Sequence, residues 1–133
     1  MSACLLDTSA LLAHYRAEAG ADRVQELLED EGVDLALSAV TVTEFPRRVA
    51  ELGAEPNAAR DAALQYARLV TEVVPVDAAV AIRAFEISAT ASGRVPLVDA
   101  LIAACASVLG ATLVHRDPHF QSIGAGLVAS ESL

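Results

Sequence analysis

The sequence predicts an α/β fold, a short and mostly parallel sheet of about five strands covered by helices. The first reason is that short apolar runs alternate with longer amphipathic segments, as in βαβ units. The second is composition, because 54% of the residues are hydrophobic but only 4% are aromatic. Such a core of Ala, Leu and Val favours close packing of helices on a sheet. Without a repeat or a linker, the 133 residues predict a single domain spanning residues 1–133.

The elements of the first half follow from capping residues and hydrophobic spacing. Residues 2–6 form a buried strand, and Thr8 or Ser9 caps a helix from Ala10 to about Ala17. An amphipathic helix over residues 22–31 ends at Gly32. The pattern then predicts a strand at 34–38, a helix at 41–52 with Pro46 in or near its first turn, and a helix at 56–69.

The second half continues the alternation. A short strand at 72–75 precedes a helix that Asp77 caps and that runs to about Ala91. Pro96 suits a helix start, since its missing N–H costs nothing there, and Gly110 ends that helix after Leu109. The remaining predictions are a strand at 111–115, a turn at 117–118 and a last edge strand at 126–129.

Four carboxylates share one kind of position in this pattern. Asp7 and Asp117 follow strand-like runs, Glu44 follows the strand at 34–38 and opens a helix, and Asp99 lies in the first turn of another. Because parallel strands present their carboxyl ends at one edge of a sheet, we expect these acids to collect there. Four crowded carboxylates repel one another unless a cation neutralises them. The pattern therefore predicts a divalent-metal site.

Three of these acids also have a structural explanation. Asp7 fits a cap or turn, Glu44 completes a capping box with Thr41, and Asp117 before Pro118 fits an N-cap. Asp99 differs because its helix is apolar on nearly every face and is therefore predicted to be buried. A charged carboxylate is costly there unless it is paired, bound to metal or helped by the helix N-terminus. The metal hypothesis therefore rests first on Asp99.

The charge of the chain limits how it can bind nucleic acid. The net charge is −9, every basic residue is Arg, and many of the acids lie in the region between Glu18 and Asp34, which is typical of a solvated helix face. Tight nonspecific binding of nucleic acid relies on Lys and Arg contacts to phosphates, so this acidity argues against it. Two divalent cations would cancel the four carboxylates locally.

Cysteine usage and hydropathy indicate a soluble cytoplasmic protein. Cys4 and Cys105 lie in apolar segments and are predicted to be buried, reduced thiols. No basic stretch precedes an apolar one at the N-terminus, which argues against a signal peptide. The most apolar stretch, 97–114, is interrupted by Asp99 and too short to predict a membrane span.

Other polar residues near the acids allow two interpretations each. His115 and His119 flank Asp117 and are either ligands or turn and surface histidines. The pair Arg47 and Arg48, like Arg94, either meets phosphate or is solvated. The sequence has no P-loop, no G-x-G-x-x-G and no Cys/His zinc spacing.

Four stretches carry a resemblance to a known family: LLDTSALL at 5–12, SAVTVTEF at 38–45, PLVDALIAA at 96–104 and ATLVHRDPHF at 111–120. In order and spacing the chain resembles PIN-domain ribonucleases, and specifically VapC-type toxins of bacterial toxin–antitoxin pairs. The resemblance implies an α/β/α sandwich. It also implies that one or two Mg²⁺ or Mn²⁺ ions bind Asp7, Glu44, Asp99 and Asp117, which would be the catalytic residues.

The resemblance extends to the reaction and to residues beside the acids. It implies hydrolysis of RNA phosphodiesters, leaving 5′-phosphate and 3′-hydroxyl ends. Thr8 or Ser9 matches the hydroxyl position after the first acid, whereas His115 stands where relatives often have a small hydroxyl residue. RNA contacts are then expected from the arginines near the acids, Arg47, Arg48, Arg94 and Arg116.

The resemblance also implies a cognate VapB-type antitoxin and a homodimer. The acidic 18–34 region and its apolar stripe Val24, Leu27 and Leu28 are expected to form part of the antitoxin groove. Three other classes of protein are alternatives. The first alternative is a receiver or HAD-like phosphotransfer domain. Such families use a Lys near the phosphate, which this chain lacks, and Asp7-Thr8-Ser9 also lacks the second Asp of the HAD motif. A non-catalytic binding module and a metal-dependent DNA nuclease are the others.

Overall fold

A parallel five-stranded sheet forms the centre of the fold in this computed structural model, which describes residues 2–133. Its strands lie in the order β3-β2-β1-β4-β5, and every neighbouring pair is parallel. The strands are β1 Ser2–Leu6, β2 Val33–Ser38, β3 Glu72–Val74, β4 Thr112–His115 and β5 Ser130–Ser132. The predicted fold class, an α/β fold with about five mostly parallel strands, is confirmed.

Helices connect the strands and cover both faces of the sheet. They are α1 Thr8–Tyr15, α2 Ala21–Glu29, α3 Ala39–Glu51, α4 Pro56–Leu69, α5 Ala78–Thr90 and α6 Leu97–Leu109, followed by a 3₁₀ helix at Pro118–Ser122. Side chains alternate across each strand, so β1 serves two cores. Leu5 packs with residues of α5 and α6, whereas Cys4 and Leu6 pack with residues of α1 to α4. The result is the α/β/α sandwich that the resemblance implied.

The strand order reverses direction between β1 and β4. The chain moves from β1 outward through β2 to β3 and later returns to the other side of β1 to form β4 and β5. At such a switch point the connections leave in opposite directions, which opens a crevice beyond the strand ends. Two hydrogen bonds join the strand ends here. The Asp7 N–H donates to the Val114 carbonyl at 3.1 Å, and the Arg116 N–H donates to Ser9 Oγ at 2.9 Å.

Two helices begin two residues earlier than predicted. α1 begins at Thr8 because Asp7 itself is the N-cap, and α3 begins at Ala39 with Ser38 as its N-cap. The capping-box explanation for Glu44 is therefore wrong, since Glu44 lies in the second turn. Pro46 is consequently inside α3, where it lacks an N–H for the helix. Tertiary packing overrides that cost, because the neighbouring Phe45 is fully buried.

The predicted edge strand at 126–129 is wrong, because β5 is Ser130–Ser132. Residues 124–128 form a turn, in which the N–H groups of Leu127 and Val128 both donate to the Gly124 carbonyl. Val128 is buried in the core instead of pairing along a strand. Edge pairing needs backbone groups rather than apolar side chains, so the more polar segment forms the strand.

The apolar stripe of α2 faces the core. Val24 and Leu27 are buried in the cluster that also contains Leu6 and Val114, and Leu28 is partly buried beside them. The expectation that this stripe forms an antitoxin groove is therefore wrong, because its side chains already have partners.

Both cysteines are free and buried, as predicted. Within residues 2–133, no helix combines the length and apolarity needed to cross a membrane.

Candidate active site

One cavity of about 410 Å³ opens beyond the ends of β1 and β4. All four acids singled out in the sequence line it: Asp7, Glu44, Asp99 and Asp117. Two come from strand ends beside the switch point and two from helices, α3 and α6, which deliver them from opposite faces of the sheet. The geometric part of the prediction, that these carboxylates share one site, agrees with the structure.

Asp7 is the most enclosed of the four, with only 3% of its surface exposed. Its carboxylate accepts the Ala10 N–H at 2.8 Å and the Ser9 hydroxyl at 2.8 Å to each oxygen. Burial raises the pKa of Asp7 to about 7, although these hydrogen bonds lower it. Asp7 thus acts as the cap of α1 and lines the cavity at once. Ionising it is costly unless positive charge is close.

Asp99 lies in the first turn of α6 and is partly buried. Burial is the main cause that raises the pKa of Asp99 to about 6, and the charges of Asp117 and Glu44 add to it, partly offset by His119. The carboxylates therefore interact electrostatically across the cavity. A divalent cation would relieve both the burial cost and the repulsion.

Packing of aromatic rings fixes the position of Glu44. The neighbouring Phe45 ring packs edge-on against Tyr15 of α1 and Tyr66 of α4, with ring centroids 5.5 and 5.4 Å apart. One turn before Glu44, the buried Thr41 hydroxyl lies 3.1 Å from the Thr8 hydroxyl and links α3 to the start of α1. Of the two hydroxyls expected beside Asp7, Ser9 bonds the carboxylate and Thr8 positions α3.

Asp117 caps the 3₁₀ helix, as its capping explanation predicted, and its Oδ1 accepts the His119 N–H at 3.0 Å. The Asp117 N–H in turn donates to Nδ1 of His115 at 3.3 Å. His115 is 2% exposed, packs against Phe120 and does not line the cavity. Burial lowers the pKa of His115, which keeps Nδ1 available as an acceptor. His115 therefore orients the backbone of Asp117.

The four predicted arginines divide into two groups. Arg48 and Arg116 line the cavity, whereas Arg47 and Arg94 do not. Arg48 and Arg116 also line an adjoining cavity of about 220 Å³, together with Arg16. There Glu18 approaches Arg16 at 3.5 Å and Arg116 at 3.4 Å. A basic region thus borders the acidic one.

His119 is the residue that sequence reasoning left undecided and the structure brings to the site. Its Nδ1 lies 3.0 Å from Oδ1 of Asp117 and 3.3 Å from Oδ2 of Asp99. The two acids and the imidazole each offer a ligand atom, and these atoms lie within 4.8 Å of one another. The only sequence signal was the spacing after Asp117 in a turn begun by Pro118. That spacing does not say which way the ring points.

The donor set fits a hard divalent cation. Mg²⁺ and Mn²⁺ prefer carboxylate oxygens and keep several waters, and this cavity combines carboxylates with room for solvent. The raised pKa values of Asp7 and Asp99 are the electrostatic cost that such an ion would remove. The basic border beside the acids suits an anionic substrate.

A single-domain α/β protein with carboxylates at its switch point is the class that fold and cavity define. The sequence model of the PIN domain family matches residues 4–126, nearly the whole chain. This chain belongs to the PIN domain family, as the resemblance indicated. No curated protein sequence matches it.

Several solved structures contain a chain of similar fold, and one of them is a member of the VapBC family of toxin–antitoxin systems. In VapBC-5 from Mycobacterium tuberculosis, a member of the VapBC toxin–antitoxin family, one chain is 27% identical, with a TM-score of 0.67 and coverage of 100% of this chain and 98% of that one. A chain of FitAcB from Neisseria gonorrhoeae is also 27% identical, with a TM-score of 0.73 and coverage of 96% and 95%. VapBC2 from Rickettsia felis, at 17% identity, a TM-score of 0.76 and 98% coverage of both chains, supports the fold alone.

Proposed function

We propose that residues 1–133 form one PIN domain that acts as a VapC-type toxin, a metal-dependent endoribonuclease inhibited by a cognate antitoxin. The observation that carries the proposal is the convergence of Asp7, Glu44, Asp99 and Asp117 in one cavity at the switch point of the sheet. Family membership and the likeness to chains of VapBC-5 and FitAcB support it.

The four carboxylates would hold one or two Mg²⁺ or Mn²⁺ ions. When bound, such an ion supplies an activated water and stabilises negative charge on the reacting phosphate. The residues of the chain orient these ligands. The Ser9 hydroxyl and the Ala10 N–H hold both oxygens of Asp7, and His115 holds the backbone of Asp117.

The RNA backbone would lie across the acidic cavity and its basic border. Arg48 and Arg116 line both cavities and would contact phosphates next to the one that reacts. Arg47 and Arg94 lie outside both cavities and are proposed only as more distant contacts. Such a division puts the scissile phosphate at the carboxylates and the neighbouring phosphate at the arginines.

The nuclease proposal predicts cleavage that depends on both the metal and the sugar. Purified protein freed of metal with EDTA should be inactive on RNA, and Mg²⁺ or Mn²⁺ should restore cleavage with 5′-phosphate ends. DNA of the same sequence should not be cleaved. Gel mapping of end-labelled RNA and DNA checks this. Equal cleavage of the DNA would favour a DNA nuclease, and cleavage in EDTA would contradict the metal requirement.

An apolar surface beside the site is the better candidate for antitoxin binding. Tyr15, Leu52 and Leu69 are exposed and border cavities that lie between α1, α3 and α4. The cavity that contains Arg16 and Leu52 continues to the acids through Arg48. An antitoxin segment could therefore run from Leu69 past Tyr15 to the catalytic cavity.

Leu69→Asp is expected to weaken antitoxin binding by about tenfold or more, since an exposed anchor residue would be lost. Leu69 is 64% exposed, so the fold should tolerate the change. Leu64→Asp is the matched control, because Leu64 is an exposed leucine of the same helix that lines none of these cavities. Titration of each variant with the purified antitoxin by calorimetry measures the effect. Equal losses in both variants would contradict the assigned groove.

Homodimerisation is also proposed. A second exposed apolar surface lies on the opposite face of the sheet, where Ile82 and Phe85 are one turn apart on α5 and Leu97 begins α6. It is separate from the proposed antitoxin groove. A dimer formed through it would leave both catalytic cavities open.

A further inference from the structure

We propose that His119 supplies a nitrogen ligand to the metal site and thereby makes it prefer Mn²⁺ over Mg²⁺. This inference rests on the proposed function, because it concerns the ion of the same cavity.

The position of the imidazole carries the inference. Nδ1 of His119 faces carboxylate oxygens of both Asp117 and Asp99, at 3.0 and 3.3 Å. The three ligand atoms lie within 4.8 Å of one another, so one cation between them could contact all three. The ring belongs to the cavity lining and is about half exposed, which leaves space for an ion and its waters.

The 3₁₀ helix holds the backbone of His119 before any ion binds. Its N–H donates to Oδ1 of Asp117, and its carbonyl accepts the Ser122 hydroxyl at 2.9 Å. The next residue, Phe120, is 2% exposed and anchors the turn in the core. Little conformational freedom of this segment would be lost on metal binding, which favours a direct ligand.

A nitrogen ligand changes which ion is preferred. Mg²⁺ favours oxygen donors and near-ideal octahedral geometry, whereas the first-row transition metals also accept nitrogen donors, Mn²⁺ the most weakly of them. Carboxylates serve Mn²⁺ as well as Mg²⁺, so a site with two carboxylates and one imidazole gains affinity mainly for Mn²⁺. Oxygen ligands alone would give no such bias.

His115 is not an alternative source of nitrogen. Its Nδ1 accepts the Asp117 N–H, its side chain is buried beside Phe120, and it lies outside the cavity lining. His14 contacts Tyr66 and Gln25 through its two ring nitrogens. Since the chain has only three histidines, a nitrogen signal at the metal would come from His119.

Metal titration of the full chain tests the inference without measuring activity. In calorimetry, His119→Asn should weaken Mn²⁺ binding at least about tenfold and leave Mg²⁺ binding nearly unchanged. His119→Asp restores an oxygen ligand and should bind both ions while losing the preference for Mn²⁺. His14→Asn, a control with the same change elsewhere, should match the wild type. Circular dichroism confirms that each variant is folded.

Electron spin echo spectroscopy of the Mn²⁺-loaded protein gives a second measurement. The wild type should show the modulation of a directly bound ¹⁴N nucleus, and His119→Asn should lose it. Retention of that modulation, or equal losses of Mn²⁺ and Mg²⁺ affinity, would overturn the role of His119 while leaving the nuclease proposal intact. Failure of the wild type to bind either ion would overturn both.

Discussion

Asp99→Asn is expected to lower the rate of RNA cleavage by at least about 10³-fold while the protein stays folded. The amide keeps the size of the side chain but removes the charge that would bind the cation. Burial and the charges of Asp117 and Glu44 raise the pKa of Asp99 to about 6. Removing its charge should therefore not destabilise the metal-free fold. Cleavage of labelled RNA and circular dichroism measure the two effects.

The matched control for this prediction is Asp22→Asn. Asp22 also lies in the first turn of a helix, α2, but it is exposed and outside the cavity. The variant loses the same charge and the same favourable contact with a helix N-terminus. It should cleave RNA at the wild-type rate. Full activity of Asp99→Asn in rigorously purified protein would reject the assigned site.

Asp7→Asn is expected to stabilise the metal-free protein at pH 8 by up to about 4 kcal/mol. The amide oxygen can still accept the Ala10 N–H, so the cap of α1 is kept. The gain arises because the wild type must hold a buried charge at this pH, whereas the variant does not. Urea unfolding in EDTA measures the difference in free energy of unfolding.

The sign of this prediction follows from how the difference in free energy of unfolding between the two proteins depends on pH. The pKa of Asp7 is raised to about 7 in the folded protein, against an ordinary value of about 3.9 in the unfolded chain. Below about pH 4 both states are protonated and the two proteins should differ little. Between about pH 4 and 7 only the unfolded state loses its proton, so the wild type loses stability. Above about pH 7 the difference should be constant.

Asp34→Asn is the control for net charge, because Asp34 is an exposed carboxylate on β2. The stability of the Asp34→Asn variant should equal that of the wild type at every pH. Adding Mg²⁺ or Mn²⁺ should stabilise the wild type and hardly affect Asp7→Asn, since ligand binding to the folded state adds stability. Lower stability of Asp7→Asn at pH 8 would contradict the proposed cost of the buried charge.

Local patterns were sufficient for most of the fold. Apolar runs separated by capped helices predicted each strand except the last, because caps and hydrophobic periods act over a few residues. The prediction of a strand at 126–129 was wrong for a physical reason. Its apolar side chains are used for core packing in a turn, while the pairing of β5 depends on backbone groups that any sequence carries.

The candidate site was predictable only in part. The position of Asp7, Asp99 and Asp117 at strand ends and in a helix first turn is a local property, so the sequence alone indicated that they meet. The ring of His119 and the burial of Val24 and Leu27 depend on how distant elements pack. Local spacing therefore does not show that the apolar stripe of α2 is used for core packing and not for a groove.

The sequence by itself determined the α/β class and indicated that four carboxylates collect at one edge of the sheet, because both follow from local periodicity and the geometry of parallel strands. Only the tertiary structure decided that Arg48 and Arg116 reach the cavity while Arg47 and Arg94 do not. It also decided that His115 accepts a hydrogen bond from the backbone of Asp117, whereas His119 lies with Asp99 and Asp117 in the cavity. Spacing places residues on elements, but the direction of a side chain depends on contacts between elements far apart in sequence.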